Sequence, residues 1–156
     1  MTREGERELV KVEHVNGGDG YIVREAMVTS EEVGEACKMY AKIHLDPGCE
    51  VGYHYHHGET ESYFILTGHG TYDDNGEKQP ANPGDLFLCK DGDAHGIKNT
   101  GDEELTFMAL ILKNNIGKYE KHLSVTWIIS GMIPGRRQVF VLPCIRKKRP
   151  VAGSLH

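Results

Sequence analysis

Gly48-Cys49-Glu50-Val51-Gly52-Tyr53-His54-Tyr55-His56-His57-Gly58-Glu59-Thr60-Glu61-Ser62-Tyr63-Phe64-Ile65-Leu66-Thr67-Gly68 is the stretch on which the fold of this chain turns. His54 and His56 are two residues apart, so on a β-strand both side chains leave the same face. A helix would send them to different sides, and Gly48, Gly52 and Gly58 disfavour a helix in any case. Glu61 follows a glycine-bearing turn over residues 57–60 and opens the apolar run 62–66. Strands joined that tightly are expected to pair as a hairpin, which would return Glu61 to the face carrying both imidazoles. Two neutral imidazoles and a carboxylate suit a divalent first-row transition metal, usually completed by a fourth ligand.

A candidate for the fourth ligand lies downstream, in Gly84-Asp85-Leu86-Phe87-Leu88-Cys89-Lys90-Asp91-Gly92-Asp93-Ala94-His95-Gly96-Ile97-Lys98-Asn99. The first stretch resembles the first motif of the cupins, G-x5-H-x-H-x4-E-x6-G, at every defining position: Gly48, His54, His56, Glu61 and Gly68. The second cupin motif, G-x5-P-x-G-x2-H-x3-N, is matched by Gly84, Gly92, His95 and Asn99, with Lys90 where the proline is expected. Loss of the proline removes a φ restraint from the turn into His95 but removes no ligand. The resemblance spans residues 48–99 by motif and roughly 37–113 with the flanking strands. It implies an all-β, single-domain jelly-roll barrel holding one divalent transition metal (Mn, Fe, Ni, Co or Zn) on His54, His56, Glu61 and His95.

At 156 residues the chain has room for one domain with a substantial core. Its four cysteines, Cys37, Cys49, Cys89 and Cys144, show no C-x-x-C spacing, which argues against a zinc knuckle or a redox dithiol. The N-terminus, Met1-Thr2-Arg3-Glu4-Gly5, has no signal-peptide character, and no apolar run approaches spanning length. A soluble cytoplasmic protein with reduced thiols and no membrane association is the expectation.

Net charge is −5, but it is unevenly placed. Residues 1–113 hold 10 Lys/Arg against 22 Asp/Glu, whereas residues 114–156 hold 8 against 1. An acidic body of this kind is not expected to bind nucleic acid. The basic segment, ending near Arg146-Lys147-Lys148-Arg149, is read as a C-terminal extension that the barrel pattern does not need.

Residues 1–36 form an N-terminal segment with a strand over 21–28, at an edge or a subunit boundary, and a short helical turn capped by Ser30. From Cys37 apolar residues alternate: Met39, Ala41, Ile43 and Leu45 lie between Tyr40, Lys42 and His44. Residues 74–76 and 82–85 read as turns, and seven or more short strands follow one another without a convincing helix. Residues 105–112, LTFMALIL, are apolar at both parities. A barrel wall facing water should alternate, so a cover on the outer face is expected, and small cupins commonly dimerise. Residues 123–129 and 139–142 carry strand-like runs in the extension.

Among the remaining side chains, His57 should face away from His56, while His44 and Lys42 share a face that is either interior or exterior. His69 falls in a turn. Tyr63 and Ile65 share the parity of Glu61 and are candidate pocket walls, and Asn99 is expected to fix the turn after His95 through backbone hydrogen bonds. A metal-dependent enzyme acting on a small oxygen-rich metabolite, of dioxygenase, decarboxylase or isomerase type, is the expectation. The alternative is a non-catalytic sugar or metabolite sensor using the same pocket. The sequence names no separate general base.

Overall fold

The computed structural model describes residues 1–114. Period-two patterning becomes strands almost wherever it occurs: β1 (Leu9–Glu13), β2 (Tyr21–Ala26), β3 (Cys37–Leu45), β4 (Glu50–Tyr55), β5 (Glu59–Thr67), β6 (Gly70–Asp74), β7 (Glu77–Ala81), β8 (Leu86–Cys89), β9 (Ala94–Asn99) and β10 (Leu105–Lys113). They form two antiparallel sheets, one ordered β1-β2-β3-β10-β5-β8 and the other β4-β9-β6-β7. Leu45, Ile65, Leu105 and Phe107 from the larger sheet meet Val51, Tyr72, Ala81 and Ile97 from the smaller in one core. The fold is the all-β jelly-roll barrel that the motifs imply.

Turn chemistry follows the residues. Asn75 (φ 52°) and Gly76 (φ 92°) occupy the two left-handed positions between β6 and β7, as a two-residue hairpin with native strand twist requires. Lys90 takes the place of the absent proline without opening its turn, since Asp93 N–H donates to Lys90 O at 3.0 Å and Gly92 N–H to His56 O at 2.8 Å.

Three local expectations are corrected. β4 and β5 do not pair as a hairpin: β4 pairs with β9, whereas β5 lies between β10 and β8. The chain crosses from one sheet to the other at residues 56–58, where Gly58 has φ 73° and its N–H donates to Asp91 Oδ1 at 2.7 Å. A tight connection fixes proximity, and only the choice of partners decides whether it is a hairpin or a corner.

Helix α1 (Ser30–Val33) is capped by Thr29 rather than Ser30, because Glu32 closes a capping box onto the Thr29 backbone N–H at 2.8 Å. The strand expected over 21–28 ends at Ala26 and is not at the edge: β1, which the sequence pattern left unassigned, covers it in a register from Leu9↔Glu25 to Glu13↔Tyr21.

The N-terminal β1–β2 pair is seated by a close backbone contact. A Cβ on Gly18 would stand 2.6 Å from Glu50 O, and one on Gly52 would stand 2.7 Å from Gly18 N and closer still to Asn16 O. Only glycines at both positions let the connection after β1 lie on β4. The strands expected over 123–129 and 139–142, Cys144 and the basic run lie outside the described residues.

Candidate metal centre

His54 and His95 are direct cross-strand partners on β4 and β9, and His56 follows at the end of β4. Glu61 reaches them from β5, across the barrel interior. His56 Nε2 lies 3.1 Å from His54 Nε2 and 3.0 Å from His95 Nε2. Glu61 Oε2 lies 2.9 Å from His95 Nε2, 3.1 Å from His56 Nε2 and 3.6 Å from His54 Nε2. His56, Glu61 and His95 are buried, and His54 is half-buried.

Each ring is held from behind. His54 Nδ1–H donates to Gly52 O at 2.9 Å, and His56 Nδ1–H donates to Glu59 Oε1 at 3.1 Å. His95 Nδ1 meets the Tyr72 hydroxyl at 2.8 Å. A carbonyl and a carboxylate only accept, so the neutral His54 and His56 rings carry their protons on Nδ1 and aim bare Nε2 lone pairs at each other. Two lone pairs at 3.1 Å repel, and either a proton on one ring or a metal ion shared by both relieves them. Neighbouring ligands on a six-coordinate ion at roughly 2.1 Å stand about 3.0 Å apart, which is the spacing seen. The Tyr72 hydroxyl can donate or accept, so His95 can present either tautomer.

The charges agree with a site built for a cation. Burial opposes ionisation of Glu61, but the imidazoles of His54, His56 and His95, which donate to it from Nε2 when protonated, hold its carboxyl well below the usual carboxylate range. The hydrogen bond to Glu61 raises His56, whereas burial lowers His95. Burial also opposes ionisation of Glu59, yet Lys38 and His56 keep its carboxyl low, and Lys38 Nζ sits 2.8 Å from Glu59 Oε1. Lys38, Glu59 and His56 thus form a chain of hydrogen bonds ending at the convergence point. Such partners fix ring orientation and raise ligand basicity. Tyr63, fully packed, stacks on His95 with centroids 4.8 Å apart and an interplanar angle of 24°. Burial, then the Glu61 charge, pushes its phenol far above the usual range.

His95 lies fully buried behind His54, His56 and Glu61, which border a cavity of about 370 Å³. Phe107 and Ile111 form part of its wall, and Val12, Val15, Ile22 and Arg24 enter it from the N-terminal β1–β2 segment. Tyr63 lines it as its parity suggested, while Ile65 is core and does not. His57 is exposed and stacks over Tyr55. His44 takes the exterior option: it lies 3.1 Å from Glu104 and 3.9 Å from Glu25, away from the cavity. His69 bonds Asn82 in its turn. Asn99 does fix backbone, donating to Leu45 O and Glu103 O and accepting from Gly101 N–H.

Sequence reasoning missed Glu59, Tyr72 and Arg24. Glu59 shares the parity of Glu61, so period two alone could have found it. Tyr72 becomes a neighbour of His95 only through the β6–β9 pairing, and no local signal foretells that.

The family comparison agrees with this geometry. Residues 41–111 match the Cupin domain family. The chain is 34% identical over 112 residues to an oxalate-binding protein from Thermotoga maritima, covering 72% of this chain and 93% of that one. A crystal structure of a predicted oxalate decarboxylase from Thermotoga maritima superposes with a TM-score of 0.70 at 34% identity, covering 72% of this chain and 98% of that one. A putative sugar phosphate isomerase from Acidithiobacillus ferrooxidans aligns at 31% identity with a TM-score of 0.51, over 58% of this chain and 60% of that one. The Cnp3 cupin domain of Schizosaccharomyces pombe, at 14% identity and a TM-score of 0.55 over 67% and 68%, shares the fold. This chain belongs to the cupin family, with a His3Glu group suited to a metal ion.

Proposed function

We propose that this protein is a metal-dependent cupin acting on a small oxygen-rich carboxylic acid, with His54, His56, Glu61 and His95 holding one divalent transition ion. The observation that carries it is the convergence of three imidazole nitrogens and a Glu61 oxygen within 4.8 Å of one another, with His56 Nε2 and Glu61 Oε2 each 2.9–3.6 Å from the other members, while the Nδ1 atoms of His54 and His56 are tied to acceptors. Such an ion, when bound, supplies Lewis-acid chemistry, and redox chemistry if it is iron or manganese. The chain's own part is to orient the rings through Gly52, Glu59 and Tyr72, to wall the cavity with apolar side chains, and to keep Glu61 ionised. Both carboxylates lining the cavity are engaged, Glu61 with the histidines and Glu59 with Lys38 and His56. The lining therefore offers no free carboxylate for proton transfer.

The likeness to an oxalate-binding protein and to a predicted oxalate decarboxylase supports a carboxylic acid such as oxalate as the first ligand to try. A name that says binding, not turnover, is also the observation favouring the second reading, a non-catalytic metabolite-binding module. Metal analysis of the purified protein, followed by oxalate binding and formate or CO₂ release, separates the two. About one ion per chain with turnover supports the enzyme, and binding without turnover of any acid tested favours the module. A protein that takes up none of Mn, Fe, Co, Ni or Zn overturns both.

The outer face of the larger sheet presents Tyr40, Phe64, Leu86, Leu88 and Leu112 exposed beside half-buried Met108 and Leu110. We infer that a second copy covers it, as the two-sided apolar character of β10 suggests.

A further inference from the structure

Arg24 stands on β2, outside the residues that match the family domain, and lines the same cavity as His54, His56 and Glu61. The Lys and Arg side chains that form ion pairs among the described residues are Arg7, Lys11, Lys38 and Lys98. Arg24 is in none of these pairs. Of the two cations bordering the cavity, Lys38 is neutralised by Glu59, which leaves Arg24 with its charge uncompensated. The N-terminal segment adds Val12, Val15 and Ile22 to the wall and one neutral polar side chain, Asn16, but no carboxylate. Arg24 is brought there by register, facing Ile43 on β3 and Val10 on β1.

We propose that Arg24 anchors an anionic group of a ligand whose other end meets the histidines. The ligand class is then a dicarboxylate or similar dianion, with one end at the His3Glu group and the other on the guanidinium. The charges favour this: a divalent ion less the Glu61 carboxylate leaves one positive charge, and Arg24 adds a second. A planar guanidinium presents paired N–H donors that match a carboxylate, which a lysine cannot reproduce. A cavity of about 370 Å³ also exceeds what the smallest dicarboxylate fills, so chain length becomes a variable the cavity can select. The N-terminal segment thereby sets specificity, while the family motifs set the metal group. The competing account is that Arg24 merely extends its stem along apolar wall toward water.

The inference rests on the proposed metal-dependent reading, and the test keeps the two apart. Metal content is measured first, on wild type, Arg24→Gln and Arg24→Lys. Calorimetry on the manganese- or zinc-loaded proteins then compares oxalate, malonate and succinate with glycolate and with the uncharged diamide of the best binder. At least one dicarboxylate should bind wild type. Arg24→Gln should weaken it tenfold or more at unchanged metal content, Arg24→Lys by less, and glycolate by less than threefold in either variant. Equal affinity for the dicarboxylate in wild type and Arg24→Gln, or metal uptake with no dicarboxylate binding, overturns the anchor and leaves the metal reading standing. Failure to take up metal overturns both. If Arg24→Gln does not fold, unchanged affinity in Arg24→Lys overturns the fork-to-carboxylate pairing.

Discussion

His54 and His56 point their Nε2 atoms at each other across 3.1 Å while both rings donate from Nδ1 to acceptors of the protein, Gly52 O and Glu59 Oε1. Neither neutral ring has a proton to place in that gap. Charging one imidazole or inserting a cation relieves the contact, and Glu61 beside them, ionised through its hydrogen bonds, is compatible with either. The arrangement is therefore preorganised, with orientation fixed before any ion arrives.

Metal should stabilise the folded chain. At a free concentration one hundred times the dissociation constant, manganese or zinc is expected to add about 2.7 kcal/mol. The melting temperature should rise by several degrees, and a chelator should reverse the rise. His95→Ala should abolish the response, as read by scanning calorimetry with metal analysis alongside. A wild-type melting curve indifferent to every ion tried would contradict the arrangement just described.

Glu59→Gln should weaken metal binding by roughly 10- to 100-fold without emptying the site, since the amide orients the His56 ring less firmly and does not raise its basicity. Lys38→Ala, one step further out, should have a smaller effect in the same direction. Competition against a calibrated chelator measures both. A Glu59→Gln protein with wild-type affinity would show that the hydrogen bond is incidental.

Asn99 is 1% exposed and bonds three backbone groups belonging to Leu45, Gly101 and Glu103. Asn99→Ala leaves buried backbone groups without partners and should cost about 1–3 kcal/mol or somewhat more. Urea denaturation of the two metal-free proteins reads the loss. A change below about 0.5 kcal/mol, the scale of a neutral surface substitution, would mean that water replaces the amide.

Cys89 is 2% exposed, and burial, with the charges of Asp93 and Glu61 behind it, pushes its thiol up to about 11. A raised thiol is protonated and unreactive at pH 8, and its reactivity should increase as pH climbs toward that value. Brief alkylation of the native protein should therefore modify half-buried Cys37 and spare Cys49 and Cys89 until denaturant is added. Peptide mass spectrometry gives the answer, and rapid native labelling of Cys89 would refute its burial.

Phe64→Glu places a charge in the exposed apolar face of the larger sheet, 43% exposed and paired across from Met108 and Leu86. Light scattering should show wild type at twice the chain mass and the variant at one, with the metal content of the variant retained. A wild-type monomer would remove the second copy from the proposal.

Much of the site could be read along the chain because its spacing is local. His54 and His56 share a strand face by period two, Glu61 stands just beyond one turn, and the glycines punctuate the strands around them. Asn99 was legible in the same way, as a polar residue closing a turn. The hairpin expected of β4 and β5 failed because proximity in sequence does not choose hydrogen-bond partners. That choice depends on β9 and β10, forty and more residues away. Exterior placement of His44 follows from the register of β3 with β2 and β10, which parity alone leaves undetermined.

By itself the sequence determined most of the strands and turns and the shared face of His54 and His56, because each depends on residues a few positions apart, while His95 was joined to them only through the resemblance of two motifs to the cupin pattern. Only the tertiary structure decided that Glu61 approaches from the opposite sheet, that Tyr72 backs His95, and that Arg24 enters the cavity from a segment the motifs never touch. Pairing between distant strands is settled by how both faces of each strand are buried at once, and that is a property of the assembled barrel rather than of any stretch within it.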